Sequence, residues 1–535
     1  MGATSKVVQG IKSEGMTTSS RANPLELTVT NFGPIAEGKI ELRPMTVFVG
    51  PSNTGKSYMA ALVYALHTSL GASPQRNVQS DYFKERFRLR IMDSLEGSPL
   101  SENDIDQVRR WLKETVIHSQ SSRIPSPKLQ ELQDSVSKRV RTILESGDNV
   151  IPYILDELLR SIGVEVLGEL VSHPFRGNFS FSFGRGKSTK TNGDVCFTYR
   201  GEVSEAGISV EASIPDIPAM PIGEEFAGEF NHWQWLMFQF FGNEARGGDT
   251  ARIALSQLAS DSAFNMMDPL GRPAFYLPAD RAGVMHAHQV VVRALIAGAS
   301  RSPLRPDMPL PSVSGVLGDF LEQIVAFAGA KNQESGTYNV LAKQLENKLL
   351  HGAIRVEQSE IDYPSFTYWP VGWRQDLPLK NTSSMVTELA PVVLYLRHVV
   401  QPGNLLIIEE PEAHLHPEMQ AKITRLLVAA VQAGIRILIT THSEWILEEL
   451  ANLVRLSELP LDRRDGIGDP EIAIRPDELG TWFFEPDEQS GGSVVKEISL
   501  DEESATFPAG YGLVTEALYN RWVEISTRIQ EEYPI

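Results

Sequence analysis

The sequence predicts an α/β fold with a mixed, mostly parallel sheet flanked by helices, and two stretches carry that prediction. Residues 45–50, "MTVFVG", form a continuous apolar run typical of a buried strand, and a helix-forming segment follows at residues 56–70. Between residues 404 and 450 the pattern predicts strand, turn, helix, strand, turn, helix. This alternation is typical of parallel strands connected by helices.

The composition excludes several classes of protein. The chain has 535 residues, of which 42% are hydrophobic and 22% charged, as in globular proteins. No stretch approaches the roughly eighteen uncharged apolar residues of a membrane span, so we expect no membrane contact. The only cysteine, Cys196, excludes an internal disulfide and suits a reducing cytoplasm. A net charge of -19 argues against a surface coated for nucleic-acid binding.

The pattern along the chain predicts five parts. Residues 1–23 are rich in Ser, Thr and Gly and are expected to form a disordered leader. Residues 24–72 and 266–464 carry the strands and helices of one α/β head. Residues 73–265 have a helical and β character of their own and are expected to be a large insertion. Residues 465–535 contain 16 acidic and 4 basic residues and are expected to form an acidic segment ending in a helix.

The loop after the first buried strand has the spacing of a phosphate-binding P-loop, Gly50-x-x-x-x-Gly55-Lys56-Ser57. Its glycines let backbone N–H groups converge on phosphate oxygens, and the following helix adds its positive amino end. Lys56 is expected to meet the β- and γ-phosphates, and the Ser57 hydroxyl to bind Mg²⁺. We expect ATP to be bound by Gly50, Pro51, Ser52, Asn53, Thr54, Gly55, Lys56, Ser57 and Tyr58.

Two adjacent glutamates end the buried strand in "LLIIEEPEAHLHP". A P-loop ATPase needs an acidic residue at such a strand end to hold the metal shell, and many need a second one to orient the attacking water. Glu409 fits the first role and Glu410 the second. The alternative is a solvated acidic loop, which the P-loop upstream disfavours.

Two further segments complete the candidate site. The strand in "LITTHS" ends at His442, which would hydrogen-bond the γ-phosphate or the attacking water, or else serve a structural role. A polar patch at Ser383 and Ser384 opens an amphipathic helix. These serines either cap the helix or present hydroxyl and amide groups to a phosphate across a dimer interface.

In their order and spacing these segments resemble the heads of ABC-class ATPases, most closely the RecF/SMC-like group and, within it, OLD-type ATPases. "EEPEAHLHP" carries most of the resemblance, and "NFGPI" and "YLPADR" are similar to OLD-type heads as well. The long interval between Gly50 and Glu409 argues against a transporter subunit. The resemblance covers residues 24–72 and 271–450.

The resemblance implies a mechanism in which two heads enclose ATP. Ser383 would reach the γ-phosphate bound by the partner copy, Glu410 would be the hydrolytic base, and His442 the switch histidine. Glu412 would lie in the loop between the two sites. A homodimer or higher oligomer is therefore expected, with ATP and Mg²⁺ as cofactors.

Two features of the resemblance are open. The Q-loop role falls on Asp280 or Gln289. Met385 stands where the family usually has a glycine, and its side chain would keep the backbone away from a phosphate. Nucleotide sandwiching would then be weak, slow or dependent on a partner, so ATP hydrolysis is less certain than ATP binding.

The remaining parts of the chain suggest no second enzyme. OLD-type proteins often carry a Toprim nuclease, but the acidic end lacks an acidic cluster at a strand end, so any nuclease or toxin is expected on a separate protein. The insertion contains basic residues that form either a nucleic-acid track or an ordinary solvated helix face. These are Lys84, Arg86, Arg88, Arg90, Arg109, Arg110, Lys113, Lys138, Arg139 and Arg141. An aromatic group is expected in a core or interface rather than as a base-stacking platform. It comprises Trp233, Trp235, Phe238, Phe240 and Phe241.

Three functions are compatible with this interpretation. The first is a cytoplasmic ATPase whose ATP-bound dimer gates a separate nuclease or toxin in prokaryotic antiphage defence. The second is a RecF-like ATPase of DNA repair or chromosome maintenance that binds DNA directly. The third is an assembly scaffold in which ATP is structural and turnover is negligible.

Overall fold

The computed structural model describes most of the α/β head and part of the insertion. The described residues are 25–70, 138, 151–164, 169, 178–185, 197–204, 207–213, 273–288, 290–291, 313–327, 336–358, 364–464, 466–467, 469–500 and 519–525.

Fourteen strands are found within these ranges. They are β1 (Leu25–Phe32), β2 (Ile35–Leu42), β3 (Met45–Val49), β4 (Phe179–Arg185), β5 (Phe197–Ser204), β6 (Gly207–Ser213), β7 (Ala274–Leu277), β8 (Gly352–Gln358), β9 (Pro364–Pro370), β10 (Leu377–Pro378), β11 (Leu405–Glu409), β12 (Arg436–Thr441), β13 (Leu479–Asp487) and β14 (Gly492–Glu497).

Seven α-helices accompany the strands in the described part of the chain. They are α1 (Lys56–Leu70), α2 (Ile151–Ile162), α3 (Gly315–Ala326), α4 (Asn339–Leu345), α5 (Ser384–His398), α6 (Pro417–Gln432) and α7 (Glu444–Glu458). A π-helical turn, Glu346–Leu350, continues α4. Residues 281–288 and 519–525 are also helical.

The main sheet has eleven strands in the order β6-β5-β4-β1-β2-β14-β13-β3-β12-β11-β7. From β13 to β7 all neighbours are parallel, whereas β6 to β2 form an antiparallel half. β14 links the halves, pairing parallel with β2 and antiparallel with β13. The predicted mixed sheet flanked by helices is confirmed, and its continuous parallel part lies around β3, β12 and β11.

The central parallel strands form because their sequences are apolar on both faces. All five residues of β3 and all five of β11 are buried. Strands that are covered on both sides by helices show such continuous apolar runs. Helix α1 packs against β7, β11, β12 and α2, and a large apolar core fills the space between the sheet and helices α3 to α7.

Helix α1 also contacts the antiparallel half of the sheet. The ring centroids of Phe32 and Tyr58 lie 5.9 Å apart with their planes steeply inclined to each other. A Cβ atom on Gly38 would lie 3.2 Å from the Met59 side chain. The helix that follows the P-loop therefore contacts both halves of the sheet.

The sheet draws strands from regions that the sequence assigns to other parts. β4, β5 and β6 come from the 73–265 insertion, where the sequence predicts a strand-rich patch, and they extend the sheet through β1. β13 and β14 lie in the 465–535 segment, for which no strand was predicted, and β13 pairs directly with β3. The acidic composition of that segment obscures the apolar run "LGTWFF" that forms β13.

A second, smaller sheet has the order β10-β9-β8 and is antiparallel throughout. It lies beside α5 and the π-helical turn after α4. Its hairpin from β9 to β10 leads directly into the segment that carries Ser383.

Several predictions fall outside the described residues. They include the leader at residues 1–23, most of the predicted insertion helices, the aromatic group at residues 233–241 and all but one of the basic residues of the insertion. The exception, Lys138, is helical and exposed. Within the described part of the chain, no helix combines the length and the apolar character that crossing a membrane requires.

Candidate functional site

The candidate residues converge because four parallel strands end at one edge of the sheet. Glu409 at the end of β11 is in register with Thr440, and Thr441 of β12 is in register with Val49 of β3. Ile408 pairs in turn with Leu277, the last residue of β7. The P-loop, the two glutamates, His442 and residues 278–281 therefore all follow strands at this edge, which we call the site edge. Ligands of open α/β sheets bind at such carboxyl ends.

The P-loop backbone turns through three residues with positive φ. The φ angles are +149° at Gly50, +64° at Asn53 and +97° at Gly55. A Cβ on Gly50 would lie 2.7 Å from the Phe484 carbonyl oxygen, and one on Gly55 would lie 2.6 Å from the Ile35 side chain. Both glycines are thus required by conformation and by space.

The loop is braced by strand β14 from the acidic end of the chain. The Ser493 hydroxyl donates to the Thr54 carbonyl, and the Ser493 N–H donates to the Pro34 carbonyl at 2.9 Å. The Thr54 hydroxyl donates to the Pro51 carbonyl at 2.8 Å. Since Pro51, Ser52 and Asn53 are exposed, the loop combines an accessible tip with a rigid base.

Lys56 is buried, with its ammonium group directed back at the loop. Nζ donates to the carbonyl oxygens of Gly50 at 2.9 Å and Pro51 at 2.7 Å. Burial lowers the pKa of Lys56 to about 8, against the opposing charges of Glu410 and Glu412. A desolvated cation among backbone acceptors is well suited to exchange those carbonyls for phosphate oxygens.

Ser57 and Tyr58 follow Lys56 in the first turn of α1 and are exposed. The Ser57 hydroxyl is thus accessible at the amino end of the helix. The Tyr58 ring lies over Gly33, where an added Cβ would approach within 2.6 Å of the ring. The N–H groups at this helix end are the ones that a P-loop offers to phosphate.

Glu409 is buried and oriented by two neighbours. Its Oε2 accepts a hydrogen bond from the Ala279 N–H at 3.0 Å, and the carboxylate is hydrogen-bonded to Tyr276. Its carboxylate and the Ser57 hydroxyl are both hard oxygen donors, the kind of ligand that Mg²⁺ prefers. No cluster of three acidic, His or Cys residues that could hold a metal exists among the described residues. These residues fit Mg²⁺ held by one or two protein oxygens together with water and phosphate, its usual environment.

Glu410 differs from Glu409 in exposure and in backbone conformation. Its φ angle is +42°, and its N–H donates to the Thr440 carbonyl at 2.9 Å. Its side chain is 43% exposed, and Oε1 lies 3.6 Å from Nε2 of His442. A left-handed conformation costs a non-glycine residue roughly 1–2 kcal/mol, so the surrounding contacts must hold it.

His442 lies between the P-loop and Glu410. Its ring is hydrogen-bonded to the Gly50 backbone. Burial and the nearby Lys56 charge lower the pKa of His442, while Glu410 and the bond to Gly50 oppose this shift. The imidazole is therefore neutral at pH 7 and leaves the Glu410 carboxylate without a charged partner on that side.

Glu412 orients the segment that carries His442. Its Oε1 accepts hydrogen bonds from the Thr441 hydroxyl and the His442 N–H, both at 2.7 Å. Burial raises the pKa of Glu412, and these two hydrogen bonds oppose the shift. Its Oε2 is buried and has no hydrogen-bond partner among the described residues. Glu412 thus joins the loop after β11 to the end of β12.

Sequence reasoning missed Arg281, which is fully buried beneath the two glutamates. Its guanidinium donates to the carbonyl oxygens of Glu409 at 2.6 Å, Glu410 at 3.1 Å and Pro278 at 3.1 Å. Nε also lies 2.9 Å from Oε2 of Glu388 in α5. The sequence signal for it is a charged residue in "YLPADR" immediately after a buried strand, a region for which Asp280 and Gln289 were the predicted candidates. Asp280 is exposed, and Gln289 lies outside the described residues.

Ser383 and Ser384 are exposed at the amino end of α5. The Ser383 hydroxyl caps the helix by accepting from the Val386 N–H at 3.4 Å, a long bond. Met385 is half-buried and packs against the apolar core. The structure therefore brings together the P-loop, Glu409, Glu410 and His442, whereas these two serines lie on a separate helix end.

Comparison with known proteins agrees with this arrangement. Residues 316–447 match the AAA ATPase domain family. That span contains Ser383, Glu409, Glu410 and His442 but not the P-loop. The chain matches none of the curated proteins with which it was compared. The domain match, over about a quarter of the chain, and the P-loop pattern agree with the predicted P-loop ATPase head.

Among solved structures, the chain is similar to an SMC head with an extended coiled coil bound to the C-terminal domain of ScpA, derived from Pyrococcus furiosus. The identity is 11%, coverage is 90% of this chain and 97% of that chain, and the TM-score is 0.38. For an SMC head domain from Thermotoga maritima the values are 10%, 89%, 99% and 0.33. For the recombination mediator protein RecF they are 9%, 89%, 99% and 0.33. Scores this low do not establish a common fold, so the fold assignment rests on the strand order and the P-loop.

Proposed function

We propose that the protein binds and hydrolyses ATP with Mg²⁺ between two copies of its head, and that the ATP-bound assembly gates a separate effector. The observation that carries this proposal is the placement of Glu410. It is an exposed carboxylate just beyond the buried Glu409, 3.6 Å from His442 and within electrostatic reach of Lys56. Such an arrangement suits activation of water beside a bound γ-phosphate.

Binding would begin at the P-loop. The exposed N–H groups of its tip and of the first turn of α1 would surround the phosphates. Lys56 would exchange its bonds to Gly50 and Pro51 for bonds to phosphate oxygens. Ser57 and Glu409 would hold Mg²⁺, which when bound supplies stabilisation of the negative charge on the phosphates.

Glu410 would then orient and deprotonate the attacking water. A neutral His442 forms no ion pair with Glu410, so the carboxylate oxygens stay available to the water. Hydrogen bonds from Thr441 and from the His442 N–H to Glu412 hold the histidine beside it. Hydrolysis would therefore depend on the geometry of residues 409–412, whereas ATP binding would depend mainly on the P-loop.

Dimerisation would bring Ser383 and Ser384 to the nucleotide of the partner copy. Their exposure at the amino end of a long helix supports this role, since such an end attracts phosphate. Met385 stands where the ATPase heads that the sequence resembles usually have a glycine. Because its side chain packs against the core, it leaves the two serines accessible. The effector would be a nuclease or toxin of a prokaryotic antiphage system, as the OLD-type resemblance implies.

The test is light scattering and phosphate release with ATP–Mg²⁺, using wild type, Lys56→Ala and Glu410→Gln. Glu458→Gln, an exposed glutamate at the end of α7, is the matched control. We expect ATP to increase the mass of wild type, Lys56→Ala to abolish the increase, and Glu410→Gln to prolong it. Glu410→Gln should slow hydrolysis by about a hundred-fold or more.

Other results would redirect the proposal. Unchanged turnover in Glu410→Gln would remove Glu410 as the base. A mass that is large and indifferent to ATP would favour a scaffold in which the nucleotide is structural. Stimulation of turnover by duplex DNA in the absence of any other protein would favour a RecF-like function in DNA repair or chromosome maintenance.

A further inference from the structure

Arg281 makes contacts that neither the P-loop pattern nor the AAA ATPase domain match assigns to it. It begins the helical residues 281–288 that follow β7, and its side chain is 0% exposed. Its Nε lies 2.9 Å from Glu388 Oε2 and donates to the Glu388 carbonyl at 3.1 Å. One rigid guanidinium therefore contacts both α5 and the end of β11, where it holds the carbonyls of Glu409 and Glu410.

The contact between Arg281 and α5 is reinforced on both elements. His286, on the same helix as Arg281, lies with Nε2 3.2 Å from the Thr387 hydroxyl of α5. That hydroxyl also donates to the Ser383 carbonyl at 3.2 Å. Pro391 within α5 lacks an N–H, which removes one bond of the helical ladder in the turn after Glu388. A continuous set of contacts thus runs from Ser383 to Glu410.

Charge makes Arg281 hard to replace. Burial lowers the pKa of Arg281, and the charges of Glu388, Glu412, Glu409 and Glu410 oppose that shift. Burial raises the pKa of Glu388, and Arg281 opposes that shift. Breaking a buried ion pair leaves an uncompensated charge in the interior, so the elements joined here are expected to move together.

We propose that Arg281 is a positioning residue that couples the ATP engaged by Ser383 to the geometry of Glu410. This inference rests on the proposed function, in which Ser383 of one head contacts the nucleotide of its partner while Glu410 acts on the nucleotide of its own head. A shift of α5 on engagement of the partner's phosphate is transmitted through Glu388 and Arg281 to the Glu410 carbonyl. Occupancy of one nucleotide site thereby sets hydrolysis at the other.

The chain provides a matched control at the other end of the same helix. Arg397 in α5 forms an ion pair with Glu346, with Nη2 and Oε1 2.7 Å apart, and donates to the Ile354 carbonyl at 2.8 Å. Both groups are largely buried, as in the Arg281 pair. Since none of these contacts involves β11, changes to this pair should affect folding stability without affecting Glu410.

The experiment compares Arg281→Gln, Arg281→Lys and Glu388→Gln with Arg397→Lys and Glu346→Gln. The kinetic readout is the dependence of phosphate release on ATP concentration. We expect Arg281→Gln to lower kcat about a hundred-fold with little change in KM, as a small misplacement of a catalytic group does. Arg281→Lys should recover part of this loss, and both Arg281→Gln and Glu388→Gln should abolish cooperativity in ATP. The two control variants should keep wild-type kcat and cooperativity.

A second readout needs no nucleotide. Hydrogen–deuterium exchange of residues 405–413 should increase in Arg281→Gln and Glu388→Gln and remain unchanged in Arg397→Lys and Glu346→Gln. If Arg281→Gln fails to fold, Glu388→Gln decides the outcome alone. The proposal is overturned if the Arg281 and Glu388 variants match the controls in exchange, or if they retain wild-type kcat and cooperativity.

The two proposals fail in different ways. A wild-type protein that neither hydrolyses ATP nor changes mass with it would refute the proposed function, and the exchange readout would still decide whether Arg281 holds residues 405–413. A wild-type protein that hydrolyses ATP cooperatively, with Glu388→Gln equally cooperative, would refute the coupling alone.

Discussion

Helices α1 and α5 both run from the site edge of the sheet to the opposite edge. The basic residues near the two edges make different contacts. Helix α1 begins with Lys56 at the P-loop and carries His67 near its end. Helix α5 begins beside Ser383 and carries Arg397 near its end, before the loop that leads back into β11. Fifteen residues of helix span about 22 Å, so basic groups near opposite ends of such helices lie far apart.

The arginine pairs show what distinguishes the two edges. Arg397 contacts Glu346 and Ile354, which belong to the π-helical turn and the small sheet. Arg281 forms a similar pair with Glu388, but its remaining donors hold the carbonyls of Glu409 and Glu410. A buried arginine–glutamate ion pair therefore joins structural elements at one edge. At the other edge, the arginine of such a pair also contacts the candidate catalytic residue. The difference lies in what the remaining donors of each arginine contact.

The largest expected effect on stability comes from breaking these two pairs. Arg281→Gln and Arg397→Gln should each lower the free energy of unfolding by about 3–5 kcal/mol, because each leaves a buried glutamate without its partner. Arg281 is the more deeply buried, so its variant should lose more. Urea unfolding followed by circular dichroism measures both. A larger loss in Arg397→Gln would contradict the ranking.

His67 provides the next comparison, at the far end of α1. Neither ring nitrogen has a hydrogen-bond partner in the described part of the chain, and burial together with the Arg436 charge lowers the pKa of His67 to about 3. The unfolded chain takes up this proton near pH 6.5 and the folded protein does not, so acid destabilises the fold. Between pH 7 and pH 5 this group should remove about 2 kcal/mol of stability.

The check is urea unfolding of wild type and His67→Leu at several pH values. The variant should lose less stability than wild type as the pH falls from 7 to 5, because a leucine side chain has no proton to take up in the unfolded chain. Parallel pH profiles for the two proteins would show that His67 is hydrated or paired in solution.

Lys56, at the site end of α1, should show the opposite pH dependence. Raising the pH should weaken ATP binding through Lys56, whereas lowering it destabilises the fold through His67. Its pKa of about 8 is expected to rise when phosphate replaces the loop carbonyls, so the protonated form binds ATP more tightly. ATP affinity should therefore fall by up to about ten-fold for each pH unit above 8. Calorimetry in two buffers of different ionisation enthalpy would detect the accompanying proton uptake. Equal uncorrected binding heats in the two buffers at pH 8.5 would exclude this linkage.

The smallest expected effect on stability lies at the amino end of α5. Ser383→Ala removes the helix cap and should cost about 1 kcal/mol, whereas Ser383→Asp should restore the cap. If Ser383 also contacts the partner's phosphate, both variants should lose ATP-dependent dimerisation, since aspartate would repel the phosphate. Thermal unfolding and light scattering separate the two roles. Dimerisation retained in both variants would leave Ser383 as a cap alone.

Local patterns were sufficient to predict the parts of the site that depend on a strand followed by a turn. Gly50, Lys56, Glu409, Glu410 and His442 each lie at or just beyond the end of a short apolar run, and parallel strands bring their carboxyl ends to one edge. Their roles in ATP binding and hydrolysis stay predictions, which the variants described above test. The mixed sheet and its flanking helices were predicted for the same local reasons.

The features that the sequence did not predict depend on contacts between segments that are distant along the chain. β13 was not predicted because its acidic surroundings concealed a strand that pairs with β3, from the opposite end of the chain. Arg281 was not predicted because a sequence does not show that its guanidinium lies beneath Glu409 and Glu410, or that the Glu388 backbone carbonyl accepts a hydrogen bond from it. Neither feature has a periodic or short-range signature.

By itself, then, the sequence determined the strand–loop–helix units and the residues placed at their junctions, since glycine conformations, apolar runs and helix starts are set by neighbouring residues. The tertiary structure decided how those units are joined. It placed β13 beside the P-loop strand and β14 next to β13, packed α1 against both halves of the sheet, and linked α5 to Glu410 through Arg281. These features arise when burial removes charged and polar groups from water, because only the folded arrangement determines which partners can compensate for that loss.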